Sequence, residues 1–193
     1  MENVKVYGLE ESIKASKFPM STNIKSLTDE VTSTVLALGN SKAGSGHDQF
    51  LTGILVSFDL EASIKMWVEL QRYHFIDFVS SQSTMHRITK MNFGGQCNDY
   101  VWGETINTMN EYIEEYNKIK DKSSQTAIEL YLEILYNVPV GFELTARLTT
   151  NYRQLKTIYY QRKNHKLPEW RRFCGEIEKL PKFKELCLKG EQS

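Results

Sequence analysis

The segment from Thr149 to Arg172, TTNYRQLKTIYYQRKNHKLPEWRR, places arginines, an asparagine and aromatic residues within one short span. Arginine presents an always-charged, rigid fork of donors, suited to a phosphate or a polarised carbonyl. Arg153 and Arg162 are nine residues apart. At about 100° per residue they point to opposite sides of a straight helix, so one ligand does not easily touch both. Two readings stay open. The arginines grip a ligand, or Leu155, Ile158 and Tyr159 form an inward stripe while the arginines face water. The cluster Arg162, Lys163, His165, Lys166, Arg171 and Arg172 likewise either attracts phosphates or solvates a surface.

Other chemistry is sparser. Gly44, Ser45 and Gly46 suit a phosphate loop, but no Walker pattern follows, so they read as a plain loop. His47, His74, His86 and His165 lack the helical spacing of a metal pair, and no metal is expected. Cys97, in a Gly-Gly-Gln-Cys-Asn loop, is either a nucleophile or a small loop residue, and nothing in the sequence shows an activating base. Trp67, Trp102 and Trp170 read as core.

The chain has 193 residues, 40% hydrophobic and 25% charged, which suits one soluble domain spanning 1–193. Formal net charge is zero, which speaks against generic nucleic-acid binding. Three cysteines without CxxC spacing argue against a disulfide framework. No apolar run reaches the roughly 20 residues of a membrane span, and MENVKVYGLE lacks a signal core. The expected location is cytoplasmic, in the host if the gene is viral.

The elements that must position these residues follow from periodicity. Asn3–Tyr7 reads as a strand and Glu10–Lys17 as a helix stopped by Pro19. Leu27, Val31, Val35 and Leu38 have helical spacing, with Ser26 or Thr28 as cap. Gly53–Leu60 alternates as a strand, and Glu61–Phe78 reads as a helix with Ile64, Trp67, Val68 and Gln71 along one face. Two amphipathic helices carry the Ile106–Ile119 and Ile128–Leu135 stripes. Glu143–Thr150 reads as a strand, Asn151–Asn164 as a helix, and Pro168 opens another. Strands and helices without regular βαβ alternation give an α+β class.

On these elements, Thr149–Arg172 resembles the C-terminal signature of the flavin-dependent thymidylate synthases: Val-Asn-Ala-Arg-Ser-Leu, an aromatic-rich helix, Leu-Arg-Leu, then Gln-Trp-Glu-Ile-Arg. Asn151, Arg153 and Leu155 fall on the first block, Arg162 on the arginine of Leu-Arg-Leu, Arg172 on the last arginine. Pro139 matches the proline before the strand. Gly46–Arg72 resembles the family's Gly-His-Glu-Ser, strand and helix ending in Arg-His-Arg. Gly46 and His47 match its start, and Arg72 falls on the first arginine without a gap. Beyond it, Arg-His-Arg-x-x-Ser-x-Asn-Glu-x-Ser-x-Arg-Tyr becomes RYHFIDFVSSQSTMHR. Tyr73 and His74 replace His-Arg, and Val79 and Ser80 stand at Asn-Glu. With one residue inserted, Ser83 stands for the serine, and His86 and Arg87 partly replace Arg-Tyr. The family's second histidine is Gly53 here, and its Glu-x-x-Arg pair falls on Leu132 and Leu135.

The resemblance implies a central, mostly antiparallel sheet flanked by helices, assembled as a homotetramer with FAD at subunit interfaces. It implies transfer of a one-carbon unit from methylenetetrahydrofolate, with NADPH as co-substrate, to C5 of a pyrimidine deoxynucleoside monophosphate. Arg162 would be the catalytic, nucleotide-gripping residue. Arg72, Tyr73, His74, Asn151 and Arg153 would face the flavin, and Gln82, Ser83 and Arg87 would join Arg162 at the substrate. The rewritten motif leaves dUMP and dCMP, and methyl and hydroxymethyl products, all open. The alternative from another class is a non-catalytic nucleotide- or partner-binding scaffold that kept the fold.

Overall fold

The computed structural model describes residues 1–42 and 44–188. Four strands, β1 (Glu2–Tyr7), β2 (Leu55–Ser63), β3 (Asp77–Ser81) and β4 (Glu143–Asn151), form one antiparallel sheet in the order β1-β2-β4-β3. Among the described residues nine α-helices accompany it: α1 (Leu9–Ala15), α2 (Ser33–Gly39), α3 (Ile64–Leu70), α4 (Thr84–Arg87), α5 (Gly103–Lys118), α6 (Gln125–Tyr136), α7 (Tyr152–Arg162), α8 (Pro168–Ile177) and α9 (Phe183–Cys187). The α+β expectation holds. None of these helices is long and apolar enough to cross a membrane.

The chain divides into two compact units. The first holds Met1–Leu60, Tyr73–Val79 and Arg147–Ser193; the second holds Glu61–Arg72 and Ser80–Ala146. In the first, alternation along β2 buries Ile54, Val56, Phe58 and Leu60, as expected. β1 pairs with β2 through Lys5–Ser57, Val6–Val56 and Tyr7–Leu55, and a register shift lies between Glu2 and Lys5. Asn3 sits there at φ 48, a conformation asparagine tolerates better than most residues. Along β4, Leu148 and Thr150 point inward, and at Asn151 the period changes from two to 3.6. Helix α7 packs on α8 and α9. Trp170 is fully buried there, and the Phe58 and Phe173 rings lie 5.8 Å apart. In the second unit α5 packs on α6 over Ile88, Met109, Ile113 and Leu130. Phe93 stacks on Phe142 at 5.1 Å.

Four expectations are corrected. On α6 the stripe expected at Ile128, Tyr131, Leu132 and Leu135 is displaced: Ile128 and Leu132 are exposed, and the residues buried against α5 are Ala127, Leu130 and Ile134. The helix expected from Leu27 begins only at Ser33, capped by Thr32 through the Val35 amide at 3.4 Å. The Thr28 carbonyl instead accepts from Lys17 Nζ at 2.8 Å, and β-branched Val31, Thr32 and Thr34 weaken a longer helix. The helix expected over Glu61–Phe78 spans only Ile64–Leu70, and its tail becomes β3, where Phe78 and Val79 favour extended backbone. Val68 is exposed rather than facing inward. Trp67 and Trp170 are core, but Trp102 is 79% exposed, because it stands at the N-cap of α5.

The end of α2 is seated against α9. A β-carbon on Gly39 would run into the backbone carbonyl of Leu186 and lie 3.3 Å from the Phe50 ring. A carbonyl cannot rotate aside as a side chain can. Gly39→Ala is therefore expected to lower stability by about 1–3 kcal/mol despite alanine's better helix propensity, read as a lower urea midpoint at unchanged m-value.

Candidate functional site

Helix α7 is built to present polar groups from one side. Asn151 caps it, its side chain accepting from the Gln154 amide at 2.9 Å. Tyr152, Leu155, Ile158 and Tyr159 are buried on the helix's inner side. Arg153 and Lys156, one turn apart, meet Asp48. Arg153 Nε donates to Asp48 Oδ1 at 2.9 Å, and its Nη1 donates to Gln49 Oε1 at 2.8 Å. Lys156 Nζ donates to Asp48 Oδ2 at 2.9 Å and to the carbonyls of Gly39 and Ser41 at 2.8 and 2.9 Å. Asp48 is 2% exposed and Lys156 5%. The ammonium thus uses all three donors inside the protein, the condition under which a buried cation is tolerated.

Beside this cluster opens a cleft of about 910 Å³, within the range of small-molecule sites. Asn151, Arg153, Phe75, Tyr160 and Thr52 line it. Four cationic side chains, Lys42, Arg153, Lys156 and Lys163, share its wall with one carboxylate, Asp48. The field favours an anion. Asn40, also on the wall, donates from Nδ2 to the carbonyls of Leu36 and Glu185, while its buried Oδ1 has no donor among the described residues.

Arg162 lies elsewhere on α7, outside this lining. Its Nε donates to the Tyr73 hydroxyl at 2.7 Å, and that hydroxyl donates to Gln161 Oε1 at 2.9 Å. The guanidinium carbon stands 4.7 Å from the Trp170 ring centre and 5.6 Å from that of Tyr73. Arg153 and Arg162 therefore face different partners, in line with their nine-residue spacing. His74 is exposed in the first unit. Arg72, Gln82, Ser83 and Arg87 belong to the second unit, where Arg72, Gln82 and Arg87 are exposed. Gln82 is engaged in backbone pairing: its amide donates to the Thr145 carbonyl at 3.0 Å, and its Oε1 accepts from the Thr145 amide at 2.9 Å. Cys97 is half-buried, and burial, aided by Glu143, pushes its thiol pKa up, opposite to the shift that activates a nucleophile. Among the described residues no group of three or more His, Cys, Asp or Glu side chains is placed to hold a metal.

Sequence reasoning missed Asp48, Lys156 and Asn40. Two signals pointed to the first pair. Asp48 directly follows Gly46-His47, and Lys156 lies three residues after Arg153 on the same helix face.

No protein-family model matches the chain, and no curated protein sequence matches it. Solved structures do. Two crystal structures of the flavin-dependent thymidylate synthase ThyX from Helicobacter pylori, each complexed with FAD and dUMP, superpose on it with TM-scores of 0.68 and 0.70. Their sequences are 17% and 15% identical to it. Each alignment covers 98% of this chain, and 98% and 100% of the respective ThyX chain. The chain has the fold of a flavin-dependent thymidylate synthase. The family resemblance seen in Gly46–Arg72 and Pro139–Arg172 thus extends over the whole ThyX architecture.

The Asp48 cluster yields a stability test. Lys156→Met keeps most of the side-chain volume but leaves Asp48 with Arg153 alone and two carbonyls without their donor. A loss of about 3–5 kcal/mol is expected in chemical denaturation. In a double-mutant cycle, adding Asp48→Asn should lose much less than the sum of the single changes.

Proposed function

We propose that this protein is a flavin-dependent transferase that adds a one-carbon unit to C5 of a pyrimidine deoxynucleoside monophosphate. One observation carries the reading. Asn151 and Arg153, the motif residues assigned to the flavin, line one cationic cleft in a chain that shares its fold end to end with FAD- and dUMP-bound ThyX. The cleft suits a flavin: its volume holds a fused ring, and its cations suit a phosphate. Bound flavin would supply hydride chemistry that no side chain provides.

The chain's own residues then bind and orient. Asn151 and Arg153 border the flavin; Arg72, Tyr73 and His74, which lie outside the cleft lining, are assigned to the flavin by the motif match alone. Arg162, its guanidinium near the Trp170 ring and hydrogen-bonded through Nε to Tyr73, presents a charged fork to the nucleotide. Gln82, Ser83 and Arg87, in the second unit, are assigned to base or phosphate by the motif match alone. No protein nucleophile is required, and the raised thiol of Cys97 agrees with that. Methylenetetrahydrofolate as carbon donor, NADPH as reductant, a homotetramer and a cytoplasmic location complete the proposal. The base is uracil or cytosine, and the product methyl or hydroxymethyl.

A second reading has its own observation. Asn151 caps α7, Arg153 is ion-paired to Asp48, and Arg162 lies beside the Tyr73 and Trp170 rings and donates to the Tyr73 hydroxyl. Each motif residue has a structural task, as expected of a scaffold that kept the fold without catalysis.

Two measurements separate the readings. Purified protein is expected to be yellow or to bind added FAD, and to convert dUMP or dCMP when methylenetetrahydrofolate and NADPH are supplied, with products read by mass. Colourless protein that ignores FAD and both nucleotides would leave the scaffold. Arg162→Lys, which keeps the charge and loses the fork, is expected to weaken nucleotide binding about tenfold or more with little change in melting temperature. Unchanged affinity would remove Arg162 from the site.

A further inference from the structure

Phe75 combines three features that each work against stability. Its φ is 65°, in the left-handed region that bulky residues rarely adopt. Its side chain is 72% exposed. It lies on the wall of the cationic cleft, facing a space shared with Arg153 and the half-exposed ring of Tyr160. The conformation is held on its C-terminal side. Thr150, itself 3% exposed, donates from Oγ1 to the Phe75 carbonyl at 2.8 Å, and the next residue, Ile76, is buried. Strain held by surrounding structure at a ligand-sized cleft marks a position shaped for binding rather than for folding.

We propose that Phe75 is the stacking face of this cleft, against which the planar heteroaromatic ring of an anionic ligand lies. A flat ring supplies the apolar contact that the exposed phenyl lacks, and the cations on the same wall suit the ligand's phosphate or carboxylate. The position is one that the Arg-His-Arg-x-x-Ser pattern leaves unspecified. The identity of the ring as a flavin rests on the function proposed above; the stacking role rests on the backbone, the exposure and the cleft.

The test uses the whole protein and three variants of position 75: the wild type, Phe75→Gly and Phe75→Trp. Each is titrated with FAD, FMN and folic acid, and with inorganic pyrophosphate as a ring-free control, alongside thermal melting and size-exclusion chromatography. Phe75→Gly is expected to bind ring ligands about tenfold more weakly, the loss typical of removing one aromatic stacking partner. Its pyrophosphate binding should be unchanged. Its melting temperature should be equal or higher, since glycine adopts this backbone without strain. Phe75→Trp should keep ring binding. FAD affinity equal to wild type in Phe75→Gly overturns the stacking role and leaves the flavin reading standing. A lowered melting temperature with altered elution also overturns it, by showing that the phenyl packs against another protein surface. Binding of folic acid but not FAD, lost in Phe75→Gly, supports the stacking role and removes the flavin. A wild type that binds none of the rings overturns both.

Discussion

Lys156 brings a full positive charge to a place almost without water, and the surrounding backbone is arranged to receive it. An ammonium has three donors, and here they meet Gly39 O, Ser41 O and Asp48 Oδ2. Loss of any partner would leave a buried charge or a buried carbonyl uncompensated. The end of α2, the segment that follows it and the turn bearing Asp48 are therefore positioned relative to α7 by one side chain. The close approach of Gly39 to the Leu186 carbonyl is part of the same arrangement, because it lets the Gly39 carbonyl come near α7.

That constraint makes the cleft. With Asp48 divided between Lys156 and Arg153, its negative charge is neutralised at the wall, and the remaining field is positive. Arg153 is at the same time held by Gln49, so its guanidinium is ordered before any ligand arrives. Order supplied in advance lowers the entropic loss on binding. The scaffold and the site share their atoms, and the residues that cap and pin α7 are the ones facing the ligand space.

Much of the architecture was legible in the sequence where a single periodicity acted alone. The alternation of β2 and β4, the stripe of α5, and Pro168 at the start of α8 are local patterns, and they hold, whereas the face that α6 buries is Ala127, Leu130 and Ile134 rather than the expected Ile128 and Leu132. The pattern misled where tertiary contact decided the outcome. Apolar residues after Leu70 have helix-compatible spacing, yet Phe75 takes positive φ and the chain turns into β3. The nine-residue spacing of Arg153 and Arg162 foretold different partners. It could not name them, since Asp48, Tyr73 and Trp170 are distant in sequence and meet these arginines only through the fold. Lys156 went unremarked in the sequence because burial of a charge depends on carbonyls supplied by α2 and the loop beyond it.

The rewritten motif after Arg72 acquires a physical meaning at Tyr73. A phenol hydroxyl both accepts and donates. Here it accepts from Arg162 Nε and donates to Gln161, while the guanidinium carbon lies 4.7 Å from the Trp170 ring centre and 5.6 Å from that of Tyr73. A histidine or arginine at this position would meet the guanidinium differently. Neutral imidazole accepts through one nitrogen only, and a second guanidinium would repel the first. The substitution therefore ties the two halves of the sequence signature together within one unit: the residue that departs from the pattern orients the arginine that keeps it. Any change at Tyr73 therefore removes a hydrogen bond that fixes how the Arg162 guanidinium is turned.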